Sequence, residues 1–183
     1  IQRRYLYKSY RIDFKGETTN LVTDVDRRCE KRIISLIREH FPGHGFFAEE
    51  GGNSNVSSRY RWIIDPLDGT TNYAHGYPFF STSIALEVDG EIILGVVFDP
   101  IRDELFTARK GKGAYLNGEK IFPSKTSDLK GSLLATGFPY DVKKTRQNIQ
   151  PFNRFVLQAQ AVRRDGSASL DLCYTAMGRF DGF

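Results

Sequence analysis

Two acids and two hydroxyls crowd one short stretch of this chain, Arg61-Trp62-Ile63-Ile64-Asp65-Pro66-Leu67-Asp68-Gly69-Thr70-Thr71-Asn72. Asp65 and Asp68 lie three positions apart beside an apolar run, and burying both is costly unless they share a cation. Hard carboxylate oxygens are the donors Mg²⁺ prefers, and a bound divalent cation can acidify a water into a nucleophile. The competing account is structural: an Asp-Pro turn followed by a helix cap at Asp68 or Thr70. Glu49-Glu50 supplies a second acidic site about a dozen residues earlier, and Asp26 a third.

The elements that would position these groups follow from spacing. Trp62 to Ile64 reads as the end of a buried strand that breaks at Pro66 and Gly69, so the acids would project from a tight turn. Gly45 to Ala48 reads as a short strand ending in Glu49-Glu50, with a polar loop from Asn53 to Ser58 after it. Two strand ends would thus deliver carboxylates to one sheet edge. Val25, Cys29, Ile33, Leu36, Ile37 and Phe41 recur at helical spacing before Pro42-Gly43 stops the helix. Thr23 with Asp26 is a capping-box pattern, so Asp26 is either a cap or part of the chemistry.

Further along, Asp89-Gly90 and Asn117-Gly118 mark hairpins, Ser81 to Val88, Glu91 to Phe98 and Glu104 to Arg109 read as strands, and Gly111-Lys112-Gly113 is a turn rather than a phosphate loop. Leu133 to Gly137 and Ala161 to Arg163 read as strands and Thr145 to Ala159 as a helix. Gly166-Ser167-Ala168 opens a last helix, closed by Gly178, whose free amides could meet an anion. Residues up to Tyr10 look like the tail of a helix.

With 183 residues and 40% hydrophobic content the chain can bury a real core. Its +4 charge comes from 26 basic and 22 acidic residues spread along it, so a nucleic-acid partner is not required and a phosphorylated small molecule fits equally well. No apolar run is long enough to span a bilayer, and the two cysteines, Cys29 and Cys173, have no metal-ligand spacing. These features point to a soluble, cytoplasmic protein with reduced thiols.

Taken in order, Lys15, Asn20-Leu21-Val22-Thr23 with Asp26, Ala48-Glu49-Glu50, Trp62 to Asn72, and Gly166-Ser167-Ala168 with Leu170-Asp171-Leu172-Cys173 resemble the inositol monophosphatase family of Mg²⁺-dependent, lithium-sensitive phosphatases. The resemblance implies an α/β (α+β) fold, a layered α-β-α-β-α sandwich of the sugar phosphatase type. Residues 1–130 would form an α+β part with an antiparallel sheet and the metal site, and residues 131–183 the start of a truncated C-terminal α/β part. It also implies roles. Glu49, Asp65 and the Leu67 carbonyl would hold one Mg²⁺, and Asp65 with Asp68 part of a second. Thr70 and Glu49 would position the attacking water, with Asp26 orienting Thr70. Gly69 and Thr70 would meet the phosphate, Gly166, Ser167 and Ala168 would face the sugar or inositol ring, and Lys15 would add positive charge. The family continues beyond the residues matching Phe183 to a substrate-contacting acid and a Trp-Asp metal ligand, and usually forms homodimers.

The implied reaction is hydrolysis of a phosphate monoester, with inositol 1-phosphate the expected substrate and fructose 1,6-bisphosphate, histidinol phosphate or a nucleotide 3′-phosphate as alternatives. Two rivals compete. An aspartyl-phosphate enzyme would need one residue between its acids, where Asp65 and Asp68 have two. The other is a non-catalytic module, either a regulatory subunit that binds metal and phosphate without turnover or an RNA-associated partner.

Overall fold

A computed structural model describes residues 1–14, 21–55 and 57–183. Lys15 and Asn20, two of the residues singled out above, lie outside the described residues.

The chain opens with a single helical turn, α1 (Gln2–Tyr5), then pairs β1 (Ile12–Phe14) antiparallel with β2 (Leu21–Thr23). The expected helix tail therefore ends at Tyr5, not near Tyr10. Gln2 is buried and its amide donates to Pro66 O at 2.9 Å and Thr82 Oγ1 at 3.1 Å, which ties this turn to the acidic stretch. α2 (Asp24–His40) begins with the capping box read from Thr23 and Asp26. Its inner face carries Val25, Asp26, Cys29 and Glu30, then Ile33, Ile34 and Ile37, while Leu36 and Phe41 lie exposed.

β3 (Gly45–Ala48) is followed by β4 (Gly52–Ser54), a strand where a loop was expected, and by β5 (Tyr60–Asp68). β4 folds back antiparallel on one side of β3, and β5 then lies parallel on its other side, so the sheet is mixed rather than antiparallel. After α3 (Thr70–Ala74) come β6 (Ser81–Val88), β7 (Glu91–Asp99), β8 (Glu104–Arg109), β9 (Gly113–Leu116) and β10 (Glu119–Lys120), an antiparallel meander. Strand order across this eight-stranded sheet is β10-β9-β8-β7-β6-β5-β3-β4.

β5 does not stop at Pro66. Its register on β6 runs Asp65 to Ser83 and then Asp68 to Ser81, three steps on one strand against two on the other. This is a bulge, and the one place inside a central strand where a proline, with no N–H to give the ladder, is tolerated.

The last part of the chain holds β11 (Leu133–Ala135), α4 (Val142–Thr145), α5 (Ile149–Val156), β12 (Ala161–Arg163) and α6 (Ala168–Ala176). β11 and β12 pair parallel, and Leu134 bridges to Gly182. The helix expected from Thr145 to Ala159 is shorter, α5 alone, and α4 ends at Thr145, where that helix was expected to begin. Arg146 and Asn148 between them adopt φ of 53° and 64°, and the Asn148 amide donates to Thr136 Oγ1 at 2.8 Å and Gly137 O at 2.7 Å, which pulls the backbone out of the helix.

Three apolar clusters hold these layers. Leu6, Val25, Cys29, Leu67, Tyr73 and Phe80 join α1, α2 and α3 to the sheet. Phe46, Ala48 and Ile64 pack under α2. Phe79 and Phe106 of the first part meet Ala135, Leu170, Tyr174 and Phe180 of the last, so the two sheets share a core.

Candidate active site

The bulge in β5 re-aims the chain just where the acids stand. Asp65 Oδ1 accepts the Leu67 amide at 3.0 Å, closing a small turn around Pro66. Glu49 follows β3 directly, its amide held by Ile64 O at 3.2 Å, so the parallel pairing of β3 and β5 brings its carboxyl within hydrogen-bonding reach of Asp65. Burial first, then the charges of Glu49 and Asp68, push the Asp65 carboxyl well above the usual carboxylate range.

Asp68 is held from the other side. Its Oδ2 accepts Ser167 Oγ at 2.7 Å, the Ser169 amide at 2.7 Å and the Ser169 hydroxyl. Ser167 is the residue before α6, yet its hydroxyl does not cap that helix.

Thr70 stands at the start of α3, buried, with its Oγ1 3.0 Å from Asp26 Oδ1 and 2.9 Å from Leu67 O. Asp26 is itself buried, and Oδ2, its other oxygen, accepts the Thr23 amide at 2.9 Å and the Thr23 hydroxyl. One carboxyl oxygen of Asp26 thus caps α2 while the other contacts Thr70. Burial raises the Asp26 pKa, against the hydrogen bonds from Thr23 and Thr70 that lower it.

Gly69 and Gly166 sit where backbone comes close. Gly69 has φ of 95°, and a Cβ there would meet Phe79 O at 3.0 Å and Gly166 O at 3.3 Å. A Cβ on Gly166, φ 90°, would run into the Asn72 amide at 2.9 Å. That amide donates to Phe79 O and Asp165 O, each at 2.7 Å, and so ties α3 to the loop before α6. Ser167 is fully buried on Asp68, whereas Ala168 is exposed.

The structure thus brings together Glu49, Asp65, Leu67, Asp68, Gly69, Thr70, Asp26, Gly166 and Ser167. Among the described residues no set of three His, Cys, Asp or Glu side chains stands ready as a complete metal cage. What stands ready is an acidic pair, Glu49 and Asp65, with Asp68 near enough to raise Asp65 and drawn by its serines toward α6. An all-oxygen, mutually repelling donor set suits a hard divalent cation, whose charge would relieve that repulsion.

Two groups were given no role by the sequence reading. Ser169 carries two of the three donors on Asp68, a role that no spacing rule reveals because its partner lies 101 positions away. Asp171 is fully buried in the first turn of α6, and its Oδ1 has no hydrogen-bond partner among the described residues. Burial and the charges of Asp165 and Asp68 push its carboxyl up to about 7, with Arg164 opposing.

The fold and the site define a mixed α/β protein of the sugar-phosphatase kind, and the Inositol monophosphatase family model matches residues 1–183. The chain belongs to that family. Inositol monophosphatase 2 of Solanum lycopersicum is 42% identical over 190 residues, covering 100% of this chain and 71% of the relative. Nus factor SuhB of Pseudomonas aeruginosa is 43% identical over 173 residues, covering 91% of this chain and 64% of the relative. The chain thus spans less than two thirds of that relative's length. Among solved structures, inositol monophosphatase from Anabaena superposes with a TM-score of 0.81 at 48% identity, over 85% of this chain and 62% of that one. An IMPase/NADP phosphatase complexed with NADP and Ca²⁺ superposes with a TM-score of 0.81 at 25% identity, over 94% and 64%.

Proposed function

We propose that the protein hydrolyses phosphate monoesters with Mg²⁺ as cofactor, and that inositol 1-phosphate is its substrate. The observation that carries this reading is the convergence of the Glu49–Asp65 pair, Asp68 and the Asp26–Thr70 contact on one bulged strand end. Glu49, Asp65 and Asp68, with the Leu67 carbonyl, are the groups that would hold the cation. Bound there, it supplies charge neutralisation for a phosphate dianion and a water of lowered pKa.

The rest falls to the chain's own residues. Asp26 accepts the hydrogen bond of the Thr70 hydroxyl, which would turn the lone pairs of the Thr70 oxygen toward a water beside Glu49. Glu49 is the acid placed to take a proton from that water. The left-handed turn at Gly69 and the start of α3 offer backbone groups to the phosphate. Gly166, whose carbonyl comes close to Gly69, and the exposed Ala168 would face the inositol ring. Lithium sensitivity, a homodimer and a cytoplasmic location belong to the same reading; both cysteines are free, and no described helix is long and apolar enough to cross a membrane.

The name of the Pseudomonas relative favours a second reading, in which the same site binds metal and phosphate in a regulatory role without turnover. Release of inorganic phosphate separates the two. The protein is assayed with inositol 1-phosphate, fructose 1,6-bisphosphate and a nucleotide 3′-phosphate, with Mg²⁺ and with a chelator. Mg²⁺-dependent release, fastest from inositol 1-phosphate, is expected. Release from none of the three overturns catalysis, and preference for another ester overturns the substrate alone.

A further inference from the structure

Asp68 and Ser81 face each other across β5 and β6, just beyond the bulge, so their side chains leave the same face of the sheet. Ser81 is fully buried, and its Oγ lies 2.7 Å from Ser169 Oγ and 3.4 Å from Ser167 Oγ. Both of those hydroxyls also contact Asp68 Oδ2, which accepts the Ser169 amide as well. A carboxylate only accepts, and a hydroxyl has one proton to give, so the direction of the chain is fixed. Ser167 and Ser169 donate to Asp68, and Ser81 donates to Ser169. Three donors exhaust the lone pairs of Oδ2 and, among the described residues, leave Oδ1 as the oxygen of Asp68 open to a further partner.

We infer that Ser169, backed by Ser81, is a positioning residue that makes Asp68 a one-oxygen cation ligand with its orientation set before the ion arrives. The inference rests on the proposed reading of Asp68 as a cation ligand. Groups hydrogen-bonded behind a metal ligand fix its direction, and their loss weakens binding without touching the ion. The bland alternative is that Asp68 merely caps α6 through the Ser169 amide, in which case the two hydroxyls matter for stability only.

Calorimetric titration of Mn²⁺ into the metal-stripped protein decides between them, alongside thermal melts in chelator. Ser169→Ala and Ser81→Ala are each expected to weaken Mn²⁺ binding about tenfold, and Ser169→Thr, which keeps the hydroxyl, to restore most of it. In the melts, Ser169→Ala and Asp68→Ala together should lower the melting temperature by less than the sum of their separate effects. Unchanged Mn²⁺ affinity in Ser169→Ala, with the wild type binding normally, overturns this inference alone. Failure of the wild type to bind Mn²⁺ overturns the metal reading of the site, and this inference with it.

Discussion

Residues 1–120 and residues 131–183 contribute opposite things to the site. The first part builds an eight-stranded sheet and supplies the negative charge: Glu49 after β3, Asp65 and Asp68 on β5, and Asp26 on the helix that covers them. The last part has a two-stranded parallel sheet, a pairing that is marginal by itself, and an apolar cavity of about 620 Å³ lined by Leu134, Phe138, Phe152, Phe155, Val162 and Phe183 among others. What it brings to the site is hydrogen-bond donors, through Ser167 and Ser169 on Asp68. Charges that repel one another need a stiff support, and a strand paired on both sides provides it. The donors that trim their orientation can come from a helix joined to that support by a shared core.

The sharpest way to break this comparison is to remove charge from the stiff part. Asp65→Asn is expected to lower phosphate release about a thousandfold, several kcal/mol of barrier. Its melting temperature in chelator should hold or rise, since the carboxyl it replaces is repelled by Glu49 and Asp68. Undiminished release in that variant would remove Asp65 from the site.

The shared core is tested next. Leu170 is fully buried against Phe79 and Phe106, and Leu170→Ala should cost about 3 kcal/mol. Trp62, the one tryptophan of the chain, reports from the first sheet. If the two parts fold as a unit, its fluorescence transition should shift down together with that seen by circular dichroism. A shift in circular dichroism alone would show two independently melting parts.

Asp26→Ala removes both a helix cap and the support of Thr70, so a stability loss of about 1 kcal/mol and a drop in turnover of about tenfold to a hundredfold are expected together. Thr23→Ala, which spares the Asp26–Thr70 contact, should lower the melting temperature while keeping most of the turnover. Equal loss of turnover in both variants would mean that the cap alone matters.

Asp171 gives the smallest effect. Its pKa of about 7 in the folded chain lies above the ordinary carboxylate value, so its stabilising contribution is intact below pH ~4 and lost as pH rises through ~7. Asp171→Asn in chelator should therefore raise stability at pH 8 by about 1 kcal/mol, a few degrees in melting temperature, and by less at pH 5. An equal gain at both pH values would show that the folded chain does not raise the Asp171 pKa.

Much of this molecule was legible in the residues. The capping box at Thr23 and Asp26, the hairpins at Asp89-Gly90 and Asn117-Gly118, and the Gly166-Ser167 entry to α6 are local, and local chemistry repeats wherever the same residues recur. Pro66 misled, because a proline that ends a strand and one that sits in a bulge look alike until the opposite strand is known. The break at Arg146 and Asn148 was hidden for a similar reason, since the Asn148 amide has its partners on Thr136 and Gly137.

The sequence by itself determined which side chains could do chemistry and in what order they come, because residue type and short-range spacing are written in the chain. Only the tertiary structure decided that β3 lies parallel to β5, which sets Glu49 beside Asp65, and that Ser81 and Ser169 meet behind Asp68. Those contacts join residues 16 to 101 positions apart. Their direction depends on sheet register and helix placement, which packing of the whole core sets and no short window of residues contains.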